Sequence, residues 1–420
     1  MNRQNIPAIA WRNLWRNRRR TVLTLSSISF GVFLAIMFTA MQDRNWSEMI
    51  DLAARLGGGH VTIQHPEYQD TPSLKKTVRQ SAEMTKSARS EQAVTKVTGR
   101  ISGPIMLSTT SESFGASFIA FNPRTEDETT LSLLNPDALA SGAMFAGPDD
   151  RGIILGAKLA ENLNASLGNR IVYTLTDRHG DIVSGLARLS GTIKTGAPNL
   201  DASLSLLPIE TVREIIGYET DEVTQVAVFI DDSRNTATVA QNIAARISRV
   251  AGVSVLPWNL SQPDLAAFIA MKVGGTRFIA AFIGLLVAAG IFNTLFVSVM
   301  ERLREFGILM AIGFSPTRLF ALVMMESLWL ALVGLVGAAV ITAGPYFYLA
   351  SAGIDISQML ADQGTMDVAG VAMSTTLKVG IFPENVFYIS IAAIMATLLA
   401  GLYPAWRAGT VEPIEAIKQE

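Results

Sequence analysis

Four long stretches with almost no charge constrain what this chain of 420 residues can fold into. Residues 278–300 contain no charged side chain, and a helix of about 23 residues is long enough to cross the hydrocarbon core of a bilayer. The other stretches are 21–42, 319–350 and 385–405. Because buried helices of soluble proteins rarely remain apolar over such lengths, the sequence predicts four transmembrane helices.

The composition agrees with a protein that is partly embedded in lipid. Hydrophobic residues make up 49% of the chain and charged residues 17%, which is below the value of about 25% typical of soluble domains. The net charge of −2 gives no indication of nucleic-acid binding. Because the chain contains no cysteine, a disulfide framework and a thiolate metal site are both excluded.

The basic residues in the short flanking segments predict the orientation. Residues 1–20 carry six arginines and no acid, and the connector 301–318 carries three arginines, whereas 351–384 carries one lysine and four acids. Lys and Arg are enriched in cytoplasmic loops. Both termini and the connector are therefore predicted to be cytoplasmic, and the absence of cysteine fits a protein of the bacterial inner membrane.

The predicted fold class is a membrane α-helical protein with four transmembrane helices and a large α+β extracytoplasmic domain between the first and second spans. Short alternating runs bounded by Gly, Pro and Asp predict many strands in that domain, with a small β-rich subdomain at about 152–232. The predicted segments are a cytoplasmic amphipathic N-terminal helix (1–20), the first span (21–42), the periplasmic domain (43–276), the second span (277–300), the cytoplasmic connector (301–318), the third span (319–350), a periplasmic loop (351–384), the fourth span (385–405) and a cytoplasmic tail (406–420).

Helical patterns continue beyond the outer ends of the first two spans. The first helix is predicted to run to Leu56, where the glycines at 57–59 end it, and a helix from Gln262 is predicted to run into the second span. His60 and His65 flank a predicted strand that follows the first of these helices. With no carboxylate at ligand spacing, these histidines are expected to be surface residues, and no metal site is predicted.

The sequence has no pattern typical of an enzyme active site. It contains neither the GxSxG nor the HExxH motif. Residues 191–196, GTIKTG, have the glycines of a phosphate loop, but Ala197 and Pro198 follow where a Walker A motif requires Lys and Ser or Thr. The sequence therefore predicts a non-catalytic chain that binds no cofactor of its own.

The connector 301–318 carries charges at helical spacing. Its i, i+3 pairs are Glu301 with Arg304 and Arg302 with Glu305. On a short helix these groups are available to a cytosolic partner, while Gly307 and Gly313 permit a tight return into the membrane. The same residues are also typical of juxtamembrane anchors, so the pattern alone leaves both interpretations open.

Glu326 is a carboxylate inside the third predicted span. An ionisable residue at such a position is a functional candidate by default. The four apolar stretches 21–42, 278–300, 319–350 and 385–405 contain no second carboxylate, His, Lys or Arg to form a relay. Bonding to a neighbouring helix or to backbone is therefore favoured over proton transfer.

Two segments resemble the permease subunits of the macrolide-exporter, lipoprotein-releasing and FtsX-like ABC transporter superfamily. Residues 293–338 have the family's R-x-x-E-x-G pattern, a second glycine, a glutamate in the next span and a small residue: Arg302, Glu305, Gly307, Gly313, Glu326 and Gly334. Residues 402–420 have its P-A-x-R-A and P-x-E-A-I patterns: Pro404, Ala405, Arg407, Ala408, Pro413, Glu415, Ala416 and Ile417. The arginine-rich 11–20 and the run 154–175 are similar to the family as well.

This resemblance implies a dimeric permease, made with a second copy or a homologous chain, and two copies of a separate cytoplasmic ABC ATPase that holds ATP and Mg²⁺. Membrane lipid is a further expected partner. In this family the connector is the coupling helix that sits on the ATPase. The residues implied to couple to the ATPase are Glu301, Arg302, Arg304, Glu305, Gly307, Gly313, Ser315 and Pro316.

The leading hypothesis is an ATP-driven permease that extracts or exports a lipoprotein or another apolar envelope substrate, with a periplasmic acceptor as a potential receiver. Residues 191–210 resemble the lipoprotein-releasing branch, although lipid or peptide export stays open. The expected substrate contacts are Phe33, Met37, Phe278 and Phe282. The alternative is an FtsX-like signal transmitter that activates a periplasmic cell-wall hydrolase. A membrane enzyme is the third hypothesis, disfavoured by the missing catalytic residues.

Overall fold

The computed structural model describes residues 6–248, 250, 252–356, 367–368, 371–372 and 376–410. The chain divides into two compact units. The helical unit comprises residues 1–45, 271–355 and 376–420, and the sheet unit comprises residues 46–270 and 356–375. The family-pattern residues Pro413, Glu415, Ala416 and Ile417 lie outside the described residues, as do residues 357–366 of the predicted periplasmic loop.

Long helices account for the four predicted spans. The helices, in chain order, are α1 (Ile6–Leu14), α2 (Arg18–Leu56), α3 (Ser81–Arg89), α4 (Ala157–Asn162), α5 (Pro198–Asp201), α6 (Ile209–Ile216), α7 (Thr236–Arg246), α8 (Trp258–Ser261), α9 (Pro263–Glu301), α10 (Leu303–Ala311), α11 (Pro316–Ser351) and α12 (Pro383–Gly409). Among the described residues, α2, α9, α11 and α12 are long and apolar enough to cross a membrane. The predicted continuation of the first helix to Leu56 is confirmed.

Small residues let the long helices of the helical unit approach one another closely. A Cβ atom placed on Gly334 of α11 would lie 2.5 Å from Cγ2 of Ile28 on α2. The Ser29 hydroxyl donates a hydrogen bond to the Gly334 carbonyl at 2.9 Å. A Cβ on Gly31 of α2 would similarly lie 2.7 Å from Val287 on α9. Close packing at small residues is what stabilises helix pairs in lipid, where the hydrophobic effect between helices is absent.

Replacing Gly334 with alanine is expected to destabilise the helical unit by about 1–3 kcal/mol, because the new methyl group overlaps Ile28. The measurement is the midpoint of thermal unfolding of the full chain in detergent. Gly284→Ala is the matched control, since a Cβ there meets no atom within 4 Å. Equal midpoints for the two variants would contradict this account of the packing.

The sheet unit contains a ten-stranded sheet. The strands described in the chain are β1 (Val61–Gln64), β2 (Val94–Ser108), β3 (Ser113–Phe121), β4 (Leu139–Gly142), β5 (Gly152–Gly156), β6 (Arg170–Thr176), β7 (Ile182–Ile193), β8 (Leu204–Pro208), β9 (Gln225–Ile230), β10 (Ser254–Pro257), β11 (Ile354–Asp355), β12 (Asp367–Val368), β13 (Val371–Ala372) and β14 (Thr376–Leu377). The last four form two small antiparallel pairs, β11 with β14 and β12 with β13.

The long strand β2 belongs to two parts of this sheet. Its first half pairs with β9, and β1 and β10 continue from β9 as an open sheet. Its second half lies in a closed ring of six strands in the order β2, β3, β8, β5, β7 and β6, with β6 returning to β2. The change occurs where Arg100 pairs with Gln225 of β9 and Ile101 pairs with Ala120 of β3.

Residues 152–232, predicted as a small β-rich subdomain, do not form a sheet of their own. They supply β5, β6, β7 and β8 to the closed ring, while β9 inserts between β1 and β2 in the open part. A single hydrophobic core contains Val61, Leu107, Ile171 and Val228, so side chains from both sides of the predicted boundary pack together. The glycine- and proline-rich run before Gly152 is therefore a loop within one unit.

A buried ion pair lies where β2 passes between the two parts of the sheet. The Arg100 and Glu126 side chains are 1% and 0% exposed, and the guanidinium makes two hydrogen bonds to the carboxylate, at 2.8 and 2.5 Å. Arg100 also donates to the carbonyl oxygens of Gly57 and Thr130. Because Gly57 directly follows α2, this one side chain joins the end of α2, the sheet and the loop after β3.

His60 is buried, so the prediction of a surface histidine is wrong at this position. Its backbone joins the sheet by accepting from Trp258 and donating to Val228, which draws the side chain into the interior. The ring Nε2 lies 2.8 Å from the Asp51 carboxylate, and Nδ1 accepts the backbone N–H of Ile230 at 3.3 Å. Both ring nitrogens therefore have protein partners, which accounts for burial without a metal ion.

Candidate functional site

The connector after the second long helix forms α10, which is anchored through one face. Phe306 is completely buried and packs in a cluster with Val299 of α9 and with Leu319 and Val323 of α11. The Arg302 guanidinium lies 5.1 Å from the centre of the Phe306 ring, within cation–π distance. This packing fixes the rotation of α10 about its own axis.

The opposite face of α10 is exposed. Arg304 and Ile308 lie in α10, and Ile312 directly follows its last residue. Their four-residue spacing places the three side chains on one side of the helix. Ile308 and Ile312 are 49% and 72% exposed, and Arg304 makes no ion pair with the part of the chain that the structure describes. The outward surface of α10 therefore combines two large apolar side chains with an available positive charge.

The turn from α10 into α11 depends on one of the two predicted glycines. Gly313 has a φ of +100°, a conformation that residues with a Cβ rarely adopt. Ser315 precedes α11 in extended conformation and Pro316 occupies its first turn, where a missing N–H costs nothing. The turn role predicted for Gly307 is wrong, because Gly307 is buried within α10.

Ion pairs join two helix junctions next to α10. Arg16 lies between α1 and α2, and its guanidinium donates to both Glu305 carboxylate oxygens at 2.5 Å. Arg20, in the first turn of α2, donates to Glu301 at 2.7 Å. Glu301 ends α9 and Glu305 lies in the first turn of α10. The α1–α2 junction thus faces the α9–α10 junction through two charged contacts.

Glu326 is the point at which these two junctions meet on α11. It accepts hydrogen bonds from the Asn13 amide at 2.9 Å and from Arg302 at 2.9 and 3.1 Å. The Arg302 and Glu326 side chains are each only 12% exposed. The predicted role of Glu326 in bonding to neighbouring elements agrees with this geometry, since its partners come from α1 and from the residue between α9 and α10.

We name these seven side chains the junction cluster: Asn13, Arg16, Arg20, Glu301, Arg302, Glu305 and Glu326. They line a cavity of about 340 Å³ whose remaining wall includes Thr24, Thr294 and Ser298. Three guanidinium groups and three carboxylates balance in charge. A polar, charge-balanced cavity can hold water at the end of an otherwise apolar bundle.

The electrostatics of Glu305 keep its contacts charged. Partial burial opposes ionisation of its carboxyl, but the hydrogen bond and positive charge of Arg16, together with Arg302, outweigh that effect and lower the pKa of Glu305. A lowered pKa means that these pairs stabilise the fold above the ordinary glutamate pKa and lose that effect as the pH falls through the lowered value. At neutral pH the contacts are therefore fully ionised.

Three of the four charged groups that were expected to be available to a partner, Glu301, Arg302 and Glu305, make ion pairs within the chain. Arg302 lies 3.4 Å from Glu305, as their i, i+3 spacing predicts. Glu301 contacts Arg20 and not Arg304. The physical reason is the break at Arg302: α9 ends at Glu301 and α10 begins at Leu303, so Glu301 and Arg304 do not share a helix.

Two family models match this chain and together cover most of it. The model of the MacB-like periplasmic core domain matches residues 21–246, which is more than half of the chain. The model of the FtsX-like permease C-terminal domain matches residues 277–413 and therefore includes α10 and Glu326. The chain belongs to the ABC transporter permeases of the MacB, LolC and FtsX type. The family resemblance found in the sequence is thereby confirmed.

Curated relatives match the permease over much of its length. The lipoprotein-releasing system transmembrane protein LolC of Xylella fastidiosa strain Temecula1 is 24% identical over 320 residues, covering 70% of this chain and 71% of the relative. LolC of Neisseria meningitidis serogroup B is 24% identical, covering 65% and 66%. The macrolide export ATP-binding/permease protein MacB of Nitrosomonas europaea is 23% identical, covering 98% of this chain and 58% of the relative.

Solved structures similar to the permease include two extracytoplasmic domains. The periplasmic region of MacB from Actinobacillus actinomycetemcomitans is 12% identical and covers 51% of this chain and 95% of that structure, with a TM-score of 0.34. The extracellular domain of the transporter YknZ from Gram-positive bacteria is 14% identical and covers 47% of this chain and 98% of that structure, with a TM-score of 0.32.

The four expected substrate contacts differ in exposure in the permease. Phe278 and Phe282 are 75% and 55% exposed on α9, whereas Phe33 and Met37 are half-buried on α2. Because Gln42 lies 3.4 Å from Thr276 and Gly31 lies beside Val287, α2 and α9 run antiparallel and hold all four residues in the same stretch of the helix pair. A role in substrate binding stays a prediction for each of them.

Several residues of the site were not predicted from the sequence. Ile308 and Ile312 carry a usable signal, because they follow Arg304 at four-residue spacing in the connector. No local sequence signal identifies Asn13, Arg16 and Arg20, since their partners lie 281 or more positions away in the chain. Among the described residues, no group of three or more His, Asp and Glu side chains is arranged to hold a metal ion.

Proposed function

We propose that this permease couples ATP hydrolysis on a separate cytoplasmic ABC ATPase to a conformational change of its sheet unit, and thereby extracts or exports a lipoprotein or another apolar envelope substrate. The observation that carries the proposal is the outward surface of α10. Large apolar side chains exposed to water favour coverage by a protein partner, and Ile308 and Ile312 stand next to the cation Arg304. The anchored opposite face supports α10 as a firm docking element.

The proposed membrane position rests on exposed aromatic side chains at two levels of the helical unit. Trp406 lies near one end of α12 and Phe387 near the other, at 56% and 62% exposed. At 1.5 Å per residue they are about 28 Å apart, close to the thickness of the hydrocarbon core of about 30 Å. Aromatic residues of this kind are enriched at membrane interfaces. With the arginines near Trp406 on the inside, both termini and α10 lie in the cytoplasm.

The proposed route of transmission runs along α2 and α9. Each is a single helix of 39 residues, which corresponds to about 58 Å. That length exceeds the hydrocarbon core by about 28 Å, so each helix continues well beyond the bilayer on the outer side. A continuous helix carries an axial or tilting displacement without an intervening loop. The substrate proposal is supported by similarity to LolC, whose name assigns that protein to a lipoprotein-releasing system.

The test is purification of the tagged full chain from its native membrane in mild detergent, followed by mass spectrometry of the proteins and lipids that accompany it. We expect an ABC ATPase and a lipid-modified protein, with the amount of the latter falling when ATP and Mg²⁺ are added. The variant Ile308→Asp is expected to lose most of the ATPase. The matched control is Ile182→Asp, since Ile182 is also highly exposed, at 78%, but lies on β7.

Each outcome of this experiment has a defined meaning. Recovery of no ATPase with the unaltered chain contradicts the coupling proposal. Recovery of the ATPase together with a cell-wall hydrolase, and without ATP-dependent cargo, would mean that the permease transmits a signal and does not extract a substrate. Equal loss of the ATPase from Ile308→Asp and Ile182→Asp would show that α10 is not the docking element. An ATP-sensitive lipid without a lipid-modified protein retains the coupling role but changes the substrate class.

A further inference from the structure

We propose that Arg16 and Arg20 are positioning residues for coupling: they brace α10 against the N-terminal segment, so that the α1–α2 junction moves together with the coupling helix. This inference rests on the proposed role of α10. It adds a second cytoplasmic element to the proposed coupling machinery.

The contacts of the junction cluster hold α10 at its beginning. One guanidinium nitrogen of Arg16, Nη2, donates to both carboxylate oxygens of Glu305 at 2.5 Å, a charge-assisted contact that holds the two side chains together. Arg20 holds Glu301 at the end of α9, one residue before the break at Arg302. The two arginines therefore flank the point at which α10 departs from α9. A change in that angle would alter where the outward surface of α10 is presented.

The N-terminal segment packs firmly against α11. Such packing is required if this segment is to hold α10 in position. Ala10 and Leu14 of α1 are buried, and the Trp329 indole of α11 donates to the Pro7 carbonyl at 3.2 Å. The ring of Trp11 packs against Trp329 with centroids 5.1 Å apart. The α1 helix thus rests on α11 through side-chain packing and a hydrogen bond.

Neighbouring arginines do not share these contacts. Arg18 and Arg19 are exposed and make no ion pair with the described part of the chain, whereas Arg16 and Arg20 each meet a carboxylate. A general preference for cations on the cytoplasmic side would apply to all four residues equally. The selective pairing of Arg16 and Arg20 indicates a specific mechanical role in addition to that preference.

The test measures ATP hydrolysis by the permease–ATPase complex in lipid nanodiscs for the unaltered chain, Arg16→Glu, Glu305→Arg and the double exchange. Arg16→Glu places two negative charges together, and we expect ATPase activity to fall about five- to tenfold while the ATPase still co-purifies through Ile308 and Ile312. The double exchange restores opposite charges and is expected to recover activity to within about twofold. Arg19→Glu, the same charge change one position before Arg20, is expected to leave activity unchanged.

A cross-link between positions 16 and 305 tests whether the contact between these residues stays closed or opens during ATP hydrolysis. Because the chain has no cysteine, Arg16→Cys and Glu305→Cys supply the permease's two thiols, which a bifunctional methanethiosulfonate reagent can join across the span of the two replaced side chains. A brace that moves with α10 predicts that the cross-linked complex retains its ATP hydrolysis. Loss of hydrolysis that a reductant reverses would show that the contact must open, and would overturn the brace. Normal activity of Arg16→Glu would also overturn it, whereas absence of any bound ATPase with the unaltered chain overturns the proposed function instead.

Discussion

Replacing Arg100 with alanine is expected to destabilise the sheet unit by about 3–5 kcal/mol, the largest effect that we predict for a single substitution. Glu126 has a side chain with no exposed surface, so the substitution leaves an uncompensated charge in the interior. The carbonyl oxygens of Gly57 and Thr130 lose their donor at the same time. An unpaired buried acceptor adds its own desolvation cost.

The measurement for Arg100→Ala is hydrogen–deuterium exchange of the full chain in detergent, read in peptides from β2 and the loop after β3. Exchange in those peptides is expected to accelerate about 100-fold or more. Arg188→Ala is the control, because Arg188 is exposed on β7 and its loss should change stability by less than about 0.5 kcal/mol. Replacing both partners, Arg100→Met with Glu126→Leu, is expected to recover most of the loss. Unchanged exchange in Arg100→Ala would refute the assigned role.

Replacing Glu326 with alanine is the second substitution with a large expected effect. It leaves the nearly buried Arg302 without its main carboxylate and the Asn13 amide without its acceptor. We expect the free energy of unfolding of the helical unit to fall by about 3 kcal/mol. This value is at the lower end of the range for a broken buried ion pair, because a polar cavity adjoins the site. The thermal midpoint of the full chain is expected to fall by about 6–12 °C.

Two further variants define what Glu326 contributes. Glu326→Gln retains an oxygen acceptor for Asn13 but removes the charge, and is expected to lose about half as much stability as Glu326→Ala. Glu128→Ala removes an exposed carboxylate of the sheet unit and is expected to leave the midpoint within about 1 °C. A midpoint of Glu326→Ala equal to that of the unaltered chain would mean that Arg302 finds another partner, and the account of Glu326 as the meeting point would fail.

The transmembrane helices could be predicted because lipid imposes a strong constraint on sequence. An uncharged stretch such as 278–300 has few alternatives to a spanning helix, and the family models and the helix lengths support that interpretation. Helix ends were less determined by hydropathy. α2 begins at Arg18 and ends at Leu56, beyond the apolar stretch on both sides, because intrahelical hydrogen bonds continue into amphipathic sequence.

The sheet could be predicted only as a set of strands. Closing the ring requires β6 to pair with both β2 and β7, and β9 to insert between β1 and β2 from more than a hundred residues away. Such pairings depend on contacts that strand propensity does not encode. Arg100 and Glu126 illustrate the limit, since each looks like an ordinary surface charge in the sequence and both are buried.

The candidate site likewise contains features that the sequence predicts and contacts that only the structure shows. The connector, its charged residues and Glu326 were identified from local patterns, since hydropathy and helical spacing are properties of neighbouring residues. The pairing of Glu301 with Arg20 rather than with Arg304 depends on a helix break at Arg302 that no Gly or Pro announces. Distant electrostatic partners therefore required the structure.

The separation of the junction cluster in the chain has a consequence for biogenesis. Asn13, Arg16 and Arg20 leave the ribosome about 280–310 residues before their partners, because residues 46–270 of the sheet unit are encoded in between. At a synthesis rate of about 5–20 residues per second, those side chains wait on the order of 15–60 s. Water and lipid headgroups must solvate the arginines during that interval. This end of the helical unit is thus completed only after the intervening sequence has been synthesised, which makes it a late step in the assembly of the permease.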